Sequence, residues 1–226
     1  VDRRQRQMCI RDRKLHYNFP DFPLYARKGT LRQFDRYAAA CHWHAALEFV
    51  SVLEGKMEYF VNGSTVHLGR GDGIFVNSKR LHYGFSGDGT DCSYLVVAVH
   101  PALLGESTRA GKTYLQEKFG LGAEDCLLLQ TQCSWQKEAL GLLKRIYDEM
   151  CGPADNPLRL IAQAASLCAG IGDHIRRTPV GSADGQSWEA LRKMTEFIHR
   201  NYDRKITLDE IAIAGAACRS LSLIHI

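Results

Sequence analysis

Four side chains carry the chemistry that this sequence offers. His42 and His44 stand two apart, Glu48 follows after three residues, and Gly55 lies seven further on in the string His42-Trp43-His44-x3-Glu48-x6-Gly55. On an extended segment residues 42, 44 and 48 share parity, so their side chains leave one face. Two imidazoles and a carboxylate converging there suit a divalent transition metal. His82, which follows Gly71-Asp72 on a later strand-like run, would be the fourth donor. Three uses of the quartet stay open. A bound metal would admit oxygen or isomerisation chemistry. Without one, the same groups would line a pocket for a small ligand, or be satisfied inside a β core.

The surrounding pattern sets the elements that must position them. Ala46–Leu53, Lys56–Val61, Thr65–Leu68, Gly73–Asn77, Leu81–Phe85 and Cys92–Val99 are short runs rich in Val, Leu, Phe and Tyr, parted by glycine turns. Asn62-Gly63 between two of them predicts a type I′ hairpin, which needs positive φ at both central residues. Several short strands at this spacing predict a barrel or sandwich. Trp43, Tyr59, Phe75, Tyr83 and Phe85 could line its interior, but alternation places half of them outside.

After Pro101 the period becomes helical. Trp135, Ala139, Leu142, Ile146 and Met150 form one stripe, with Ser134 as expected N-cap, and Leu158, Ile161, Ala165, Cys168, Ile171 and Ile175 form another. The two helices would pack on the chain's own sheet or form a dimer seam. Residues 178–187 are small, polar and breaker-rich, hence a linker. Trp188, Leu191, Ile198 and Tyr202 follow near one helical face. Thr207-Leu208-Asp209-Glu210 is a capping box opening a helix through Ile211 and Ala212, which Gly215 breaks. Helix, glycine turn and a further helix start outline a helix-turn-helix.

The first half resembles the cupin motif pair G-x5-H-x-H-x3-E-x6-G and G-x5-P-x-G-x2-H-x3-N, through His42, His44, Glu48, Gly55, Gly71 and His82. Arg36 stands where the first glycine would be, Asn77 replaces the proline, Lys79 the second motif's later glycine and Ser86 the asparagine. All four ligand types are kept, whereas the second motif's scaffold residues are mostly changed.

The whole order resembles the AraC/XylS family of bacterial transcription regulators. The strings His42–Gly55, Gly71–Asn77 with Leu81-His82, and His100-Pro101 are close to its sensor. Phe197–Tyr202 leading to Ile206–Ala212 is similar to its first helix-turn-helix. The resemblance implies a mixed fold: a cupin or jelly-roll-like β-barrel sensor over 14–105, a helical dimerisation or packing segment over 106–177, the linker, and a partial all-α helix-turn-helix domain over 188–220. It implies that Thr207, Glu210, Ala212 and Gly215 are structural, Ala212 packing between helices and Gly215 lying near the turn. Cys218 stands where a serine usually begins the recognition helix. Arg219 and Ser220 would contact DNA at that helix's N-terminal end.

The implied function is ligand-responsive, sequence-specific DNA-binding transcription regulation. A small-molecule effector, a sugar among the candidates, would occupy the barrel, and paired chains would address DNA half-sites as a homodimer. No catalytic residue is expected. The competing reading, a metal-dependent cupin enzyme with a helical appendage, leaves residues 206–220 without a purpose.

Net charge contributes nothing to that reading. Of the formal +4, residues 1–13 hold five arginines against two aspartates, leaving +1 for 14–220. Met8–Asp12 and Leu221–Ile226 can be encoded by DNA strings that are reverse complements over their overlap and resemble a transposon end used in library adapters. Residues 1–13 and 221–226 are therefore expected to be adapter-derived, with the DNA-reading domain cut within its first unit. The alternative is a genuine basic arm and apolar tail. The seven cysteines from Cys41 to Cys218 are scattered without a C-x-x-C pair, which argues against a disulfide framework or zinc knuckle and for a reducing cytoplasm. No apolar run approaches the roughly 20 residues of a membrane span.

Overall fold

The structure is a computed structural model that describes residues 11–12, 15–120, 122–152, 156–177, 190, 193–194, 197–198, 201 and 204–216. Most of both expected adapter segments, the expected linker 178–187, Trp188, Leu191, Tyr202, Cys218, Arg219 and Ser220 lie outside the described residues.

Among the described residues, ten strands form two five-stranded sheets. They are β1 (Arg11–Asp12), β2 (Leu24–Thr30), β3 (His42–Trp43), β4 (Leu47–Glu54), β5 (Met57–Val61), β6 (Ser64–Leu68), β7 (Gly73–Val76), β8 (His82–Phe85), β9 (Ser93–Val99) and β10 (Cys126–Leu129). One sheet runs β1-β3-β8-β5-β6 and the other β10-β7-β4-β9-β2. All pairings are antiparallel except β1 with β3. Six strands fall where alternation and turn residues placed them. The β5–β6 hairpin turns at Asn62 and Gly63, with φ of 43° and 89°, as a type I′ turn requires. Strands β1, β2, β3 and β10 were not among the six expected runs, and β10 brings a strand from beyond Pro101 to the sheet edge.

β4 shows how the layers are built. Leu47 and Phe49 point one way, into a core shared with the helices. Val50 and Val52 point the other way, into the space between the sheets, with Met57, Val61, Leu68, Ile74 and Val76. Both faces of this strand are buried over most of its length, so it reads as a nearly continuous apolar run in which Glu48 is the one buried charge. A carboxylate at that position faces the interior between the sheets.

Helices α1 (Arg109–Phe119), α2 (Ser134–Cys151) and α3 (Pro157–His174) cover the second sheet's outer face. α2 keeps the expected stripe. On α3 only the end of the expected stripe, Cys168, Ile171 and Ile175, is buried, while Leu158 and Ala165 are exposed and Leu160, Ala164 and Leu167 face inward instead. Leu143, Ile146, Leu160, Leu167 and Ile171 are each at most 1% exposed in the core that also holds Leu24, Phe49, Phe75 and Val97. The helical pair thus packs on its own chain. Ser134 is the first helical residue rather than the cap; that place belongs to Cys133, whose side chain makes no capping bond. α3 is capped by Asn156, which accepts from the Arg159 amide.

The capping box forms as read. Thr207 Oγ1 accepts from the Glu210 amide at 3.3 Å, and Glu210 Oε2 accepts from the Thr207 amide at 2.8 Å, opening α4 (Leu208–Ala214). Ala212 is buried and Ile213 exposed. Gly215 caps this helix, but in right-handed conformation; the left-handed residue is Ala216, with φ of 52°. Glycine is required at 215 by close approach, since a Cβ there would lie 2.5 Å from Met194 Cε and 3.0 Å from the Ala190 carbonyl.

Candidate functional site

His42, His44, Glu48 and His82 meet between the sheets. One ligand atom from each lies within 4.8 Å of every other, and all four residues are buried. The convergence does not come from one extended segment. β3 belongs to the first sheet and β4 to the second, and the chain bends at Ala45-Ala46 as it crosses. Glu48 therefore approaches from the wall opposite His42 and His82, which are directly paired in register across β3 and β8. Shared parity led to the right grouping, although a bend rather than a strand produces it.

The imidazoles are held in one orientation. Nδ1 of His42 lies 2.8 Å from the Ala40 carbonyl, that of His44 3.1 Å from the Ala46 carbonyl, and that of His82 2.7 Å from the Arg80 carbonyl. A carbonyl can only accept, so each Nδ1 donates, and in the neutral ring Nε2 carries the lone pair. Nε2 of His44 then faces Glu48 Oε2 at 3.0 Å, and Nε2 of His82 faces Glu48 Oε1 at 3.4 Å. With both rings neutral, acceptor would oppose acceptor in both contacts. A cation between them, either a proton on a ring or a metal ion, relieves the opposition.

The charges agree with such a site. Burial, reinforced by the neighbouring His82, pushes the His42 imidazole down to about 3, so that ring is neutral. Burial raises the Glu48 carboxyl, but His82 and His44 outweigh it and hold it well below the usual carboxylate range. Tyr59 adds a hydrogen bond from its hydroxyl to Glu48 Oε1 at 2.6 Å. Three imidazole nitrogens and one carboxylate form a donor set that fits a divalent transition metal.

Two motif departures prove compatible with the cupin backbone. Arg36 and Lys79, at positions where the motif has glycine, hold left-handed φ of 52° and 60°. The main chain keeps the glycine conformation without the glycine. Asn77, in place of proline, is 1% exposed and donates from Nδ2 to the Glu124 carbonyl at 3.0 Å.

A cavity of about 60 Å3 adjoins the site, reached past Tyr25, Arg27, Gln33 and Tyr94 and bounded within by His42, Glu48 and Tyr59. Of the aromatics noted in the sequence, only Tyr59 lines it. Phe75 lies in the helix-facing core, and Tyr83 and Phe85 are half-buried, alternating with inward-facing His82 and Gly84. Arg27, Gln33 and Tyr94 were not expected. They sit on or beside the unrecognised strand β2 and its neighbour β9. Arg27 Nη2 donates to Gln33 Oε1 at 2.6 Å, and Gln33 Nε2 lies 3.4 Å from the Tyr94 hydroxyl.

Fold and site together define a cupin-type sensor domain joined to helices. The AraC-like ligand binding domain family matches residues 28–165, more than half of the chain, and the chain belongs to that family. It is 25% identical over 201 residues to the uncharacterised HTH-type transcriptional regulator YdeC of Bacillus subtilis (strain 168), covering 88% of this chain and 69% of that protein. Its fold is similar to that of ToxT from Vibrio cholerae, with a TM-score of 0.50 at 9% identity over 90% of this chain and 74% of ToxT. A RmlC-like cupin from Shewanella frigidimarina NCIMB 400 aligns with 34% of this chain and 67% of its own, at 24% identity and a TM-score of 0.31. The chain carries the ligand-binding domain of an AraC-type transcription regulator.

Proposed function

We propose that this protein senses a small, oxygen-rich effector at the His42/His44/Glu48/His82 site and regulates transcription through DNA contacts made beyond the described helix α4. The observation that carries the reading is the buried quartet, with all three Nδ1 atoms committed to carbonyls and all donors aimed at one point, inside a domain of the sensor family. A divalent transition metal held by the three Nε2 atoms and Glu48 would supply a Lewis-acidic position for the effector's oxygens. The cavity of about 60 Å3 suits a hydrated ion or a very small ligand; a sugar would need the mouth at Arg27 and Tyr94 to open. Arg219 and Ser220 would contact DNA, with Thr207, Glu210, Ala212 and Gly215 holding their helices in place.

No catalytic role is assigned to the quartet. Homodimerisation is supported by the exposed apolar stripe Leu158, Ala162, Ala165 and Ala169 on α3, and a cytoplasmic setting by the free thiols of Cys41, Cys92, Cys126, Cys133, Cys151 and Cys168. Among the described residues no helix is long and apolar enough to cross a membrane.

Inductively coupled plasma analysis of purified protein tests the metal, and selection from random DNA by a parent chain carrying the whole DNA-reading domain, with and without effector candidates, tests the regulator. About one equivalent of metal and an enriched, effector-dependent motif support the proposal. Less than a tenth of an equivalent ends the metal component. Turnover of a candidate effector without any DNA selection would favour the enzyme reading.

A further inference from the structure

We infer that Arg80 is a positioning residue that couples occupancy of the His/Glu site to the end of α3, where the chain leaves for its DNA-reading helices. The inference rests on the ligand-sensing reading above and adds the route by which the signal leaves the barrel.

The segment Asn77–Arg80 grips the site from two directions. The Arg80 carbonyl orients His82 through its Nδ1 at 2.7 Å. The Lys79 amide donates to the His44 carbonyl at 2.8 Å, and Ser78 Oγ donates to the Ala45 carbonyl at 2.7 Å. These bonds fasten the bend between His44 and Glu48. A ligand that draws His44 and His82 together must therefore shift this segment.

The same segment grips the loop before β10. The Arg80 side chain is only 5% exposed and is ion-paired with Asp125. Its Nη2 donates to the carbonyls of Ala123 at 2.9 Å and Gly120 at 3.3 Å, and its Nη1 to the Ser78 carbonyl at 3.0 Å. Asn77 adds its amide to the Asp125 carbonyl at 2.9 Å and its side chain to the Glu124 carbonyl. A buried guanidinium is tolerated only while its donors are satisfied, and its planar fork allows little play. Displacing residues 78–80 must therefore carry residues 120–125 along or leave a buried charge short of partners.

That loop is tied in turn to the residues that follow α3. The Glu124 amide donates to the Arg176 carbonyl at 3.0 Å, the Arg176 amide donates to Glu124 Oε2 at 2.9 Å, and Ala123 pairs with Arg177. Two links separate Arg80 from Arg176. No sequence signal marks this chain of contacts, because Arg80 occupies a variable position of the cupin pattern and Glu124 belongs to a loop.

Zn2+ titration combined with amide hydrogen exchange on the full chain tests the coupling. In the wild type, Zn2+ should slow exchange at the Glu124 and Arg176 amides by about fivefold or more. Arg80→Lys keeps the charge but loses the fork. It should bind Zn2+ within about threefold of wild type while the Zn2+-dependent change at Arg176 disappears, an outcome that a purely structural strap would not produce. Glu124→Ala, outside the buried cluster, should retain Zn2+ binding and the change at Ala123 yet lose that at Arg176; it decides the matter should Arg80→Lys fail to fold. Zn2+ binding without a change at Arg176, or a variant that keeps the full change, overturns the coupling alone. A wild type that takes up no Zn2+ ends the metal reading and the coupling with it.

Discussion

Nε2 of His44 lies 3.0 Å from Oε2 of Glu48, while Nδ1 of the same ring faces the Ala46 carbonyl at 3.1 Å. In a neutral ring the proton would lie on Nδ1 toward the carbonyl, so only a second proton or a metal ion joins Nε2 to the carboxylate. Glu48→Gln replaces one of those oxygens with an amide donor. The apo protein should lose about 1–2 kcal/mol in urea unfolding near pH 7, because His82 and His44 favour the ionised carboxylate that the amide replaces. Zn2+ affinity should fall by about tenfold or more, since an ionised ligand is lost. A gain in apo stability in the variant would show that both rings face Glu48 as acceptors.

Acid should weaken the metal-free protein through His42. Unfolded, this ring titrates near 6.5; folded, at about 3. Between those values the unfolded chain holds the extra proton, so stability is complete above 6.5 and falls as pH descends toward 3. The slope for this residue is about 1.4 kcal/mol per pH unit. Glu48, whose folded carboxyl is also depressed, acts with the same sign. Denaturant melts in chelator between pH 7 and pH 4 should show the decline, and His42→Asn should reduce its slope by about one proton.

Arg36 and Lys79 sit in the left-handed region without glycine. For an ordinary residue that conformation costs about 1–2 kcal/mol, against an entropy penalty of about 0.4–1 kcal/mol for introducing glycine. Arg36→Gly and Lys79→Gly should each raise thermal stability slightly, by about 0.5–1 kcal/mol, where glycine elsewhere in a loop would lower it. Alanine at either position should leave stability within about 0.5 kcal/mol of wild type.

Gly215 is constrained by packing. Its right-handed φ and ψ would ordinarily make Gly→Ala favourable, but the added Cβ meets Met194 and the Ala190 carbonyl. Gly215→Ala should destabilise the α4 region by about 1–3 kcal/mol, seen as faster exchange at Ile211 and Ala212 with Leu143 and Ile146 unchanged. Met194→Ala should restore part of the loss.

Much of this protein is legible in its sequence where local physics decides. The type I′ turn at Asn62-Gly63, the capping box at Thr207 and Glu210, and the stripe of α2 each depend on neighbours within a few residues. So do the six strands whose alternation or apolar runs mark them. The donor types at residues 42, 44, 48 and 82 were legible as well, because few other roles call for three histidines and a glutamate in that motif.

Tertiary structure decided the rest. β2 and β10 are strands because β9 and β7 offer them edges, and neither carries a pattern strong enough to stand alone. Glu48 faces His42 across the space between the sheets because the chain bends at Ala45-Ala46 and changes sheet. Arg80 and Asn77 owe their importance to a loop more than forty residues away, a separation no local pattern encodes. The sequence by itself determined which groups are present and which short elements they ride on. Only the packed chain determined which way each lone pair points and what the far end of Arg80 holds, because those depend on contacts between distant residues.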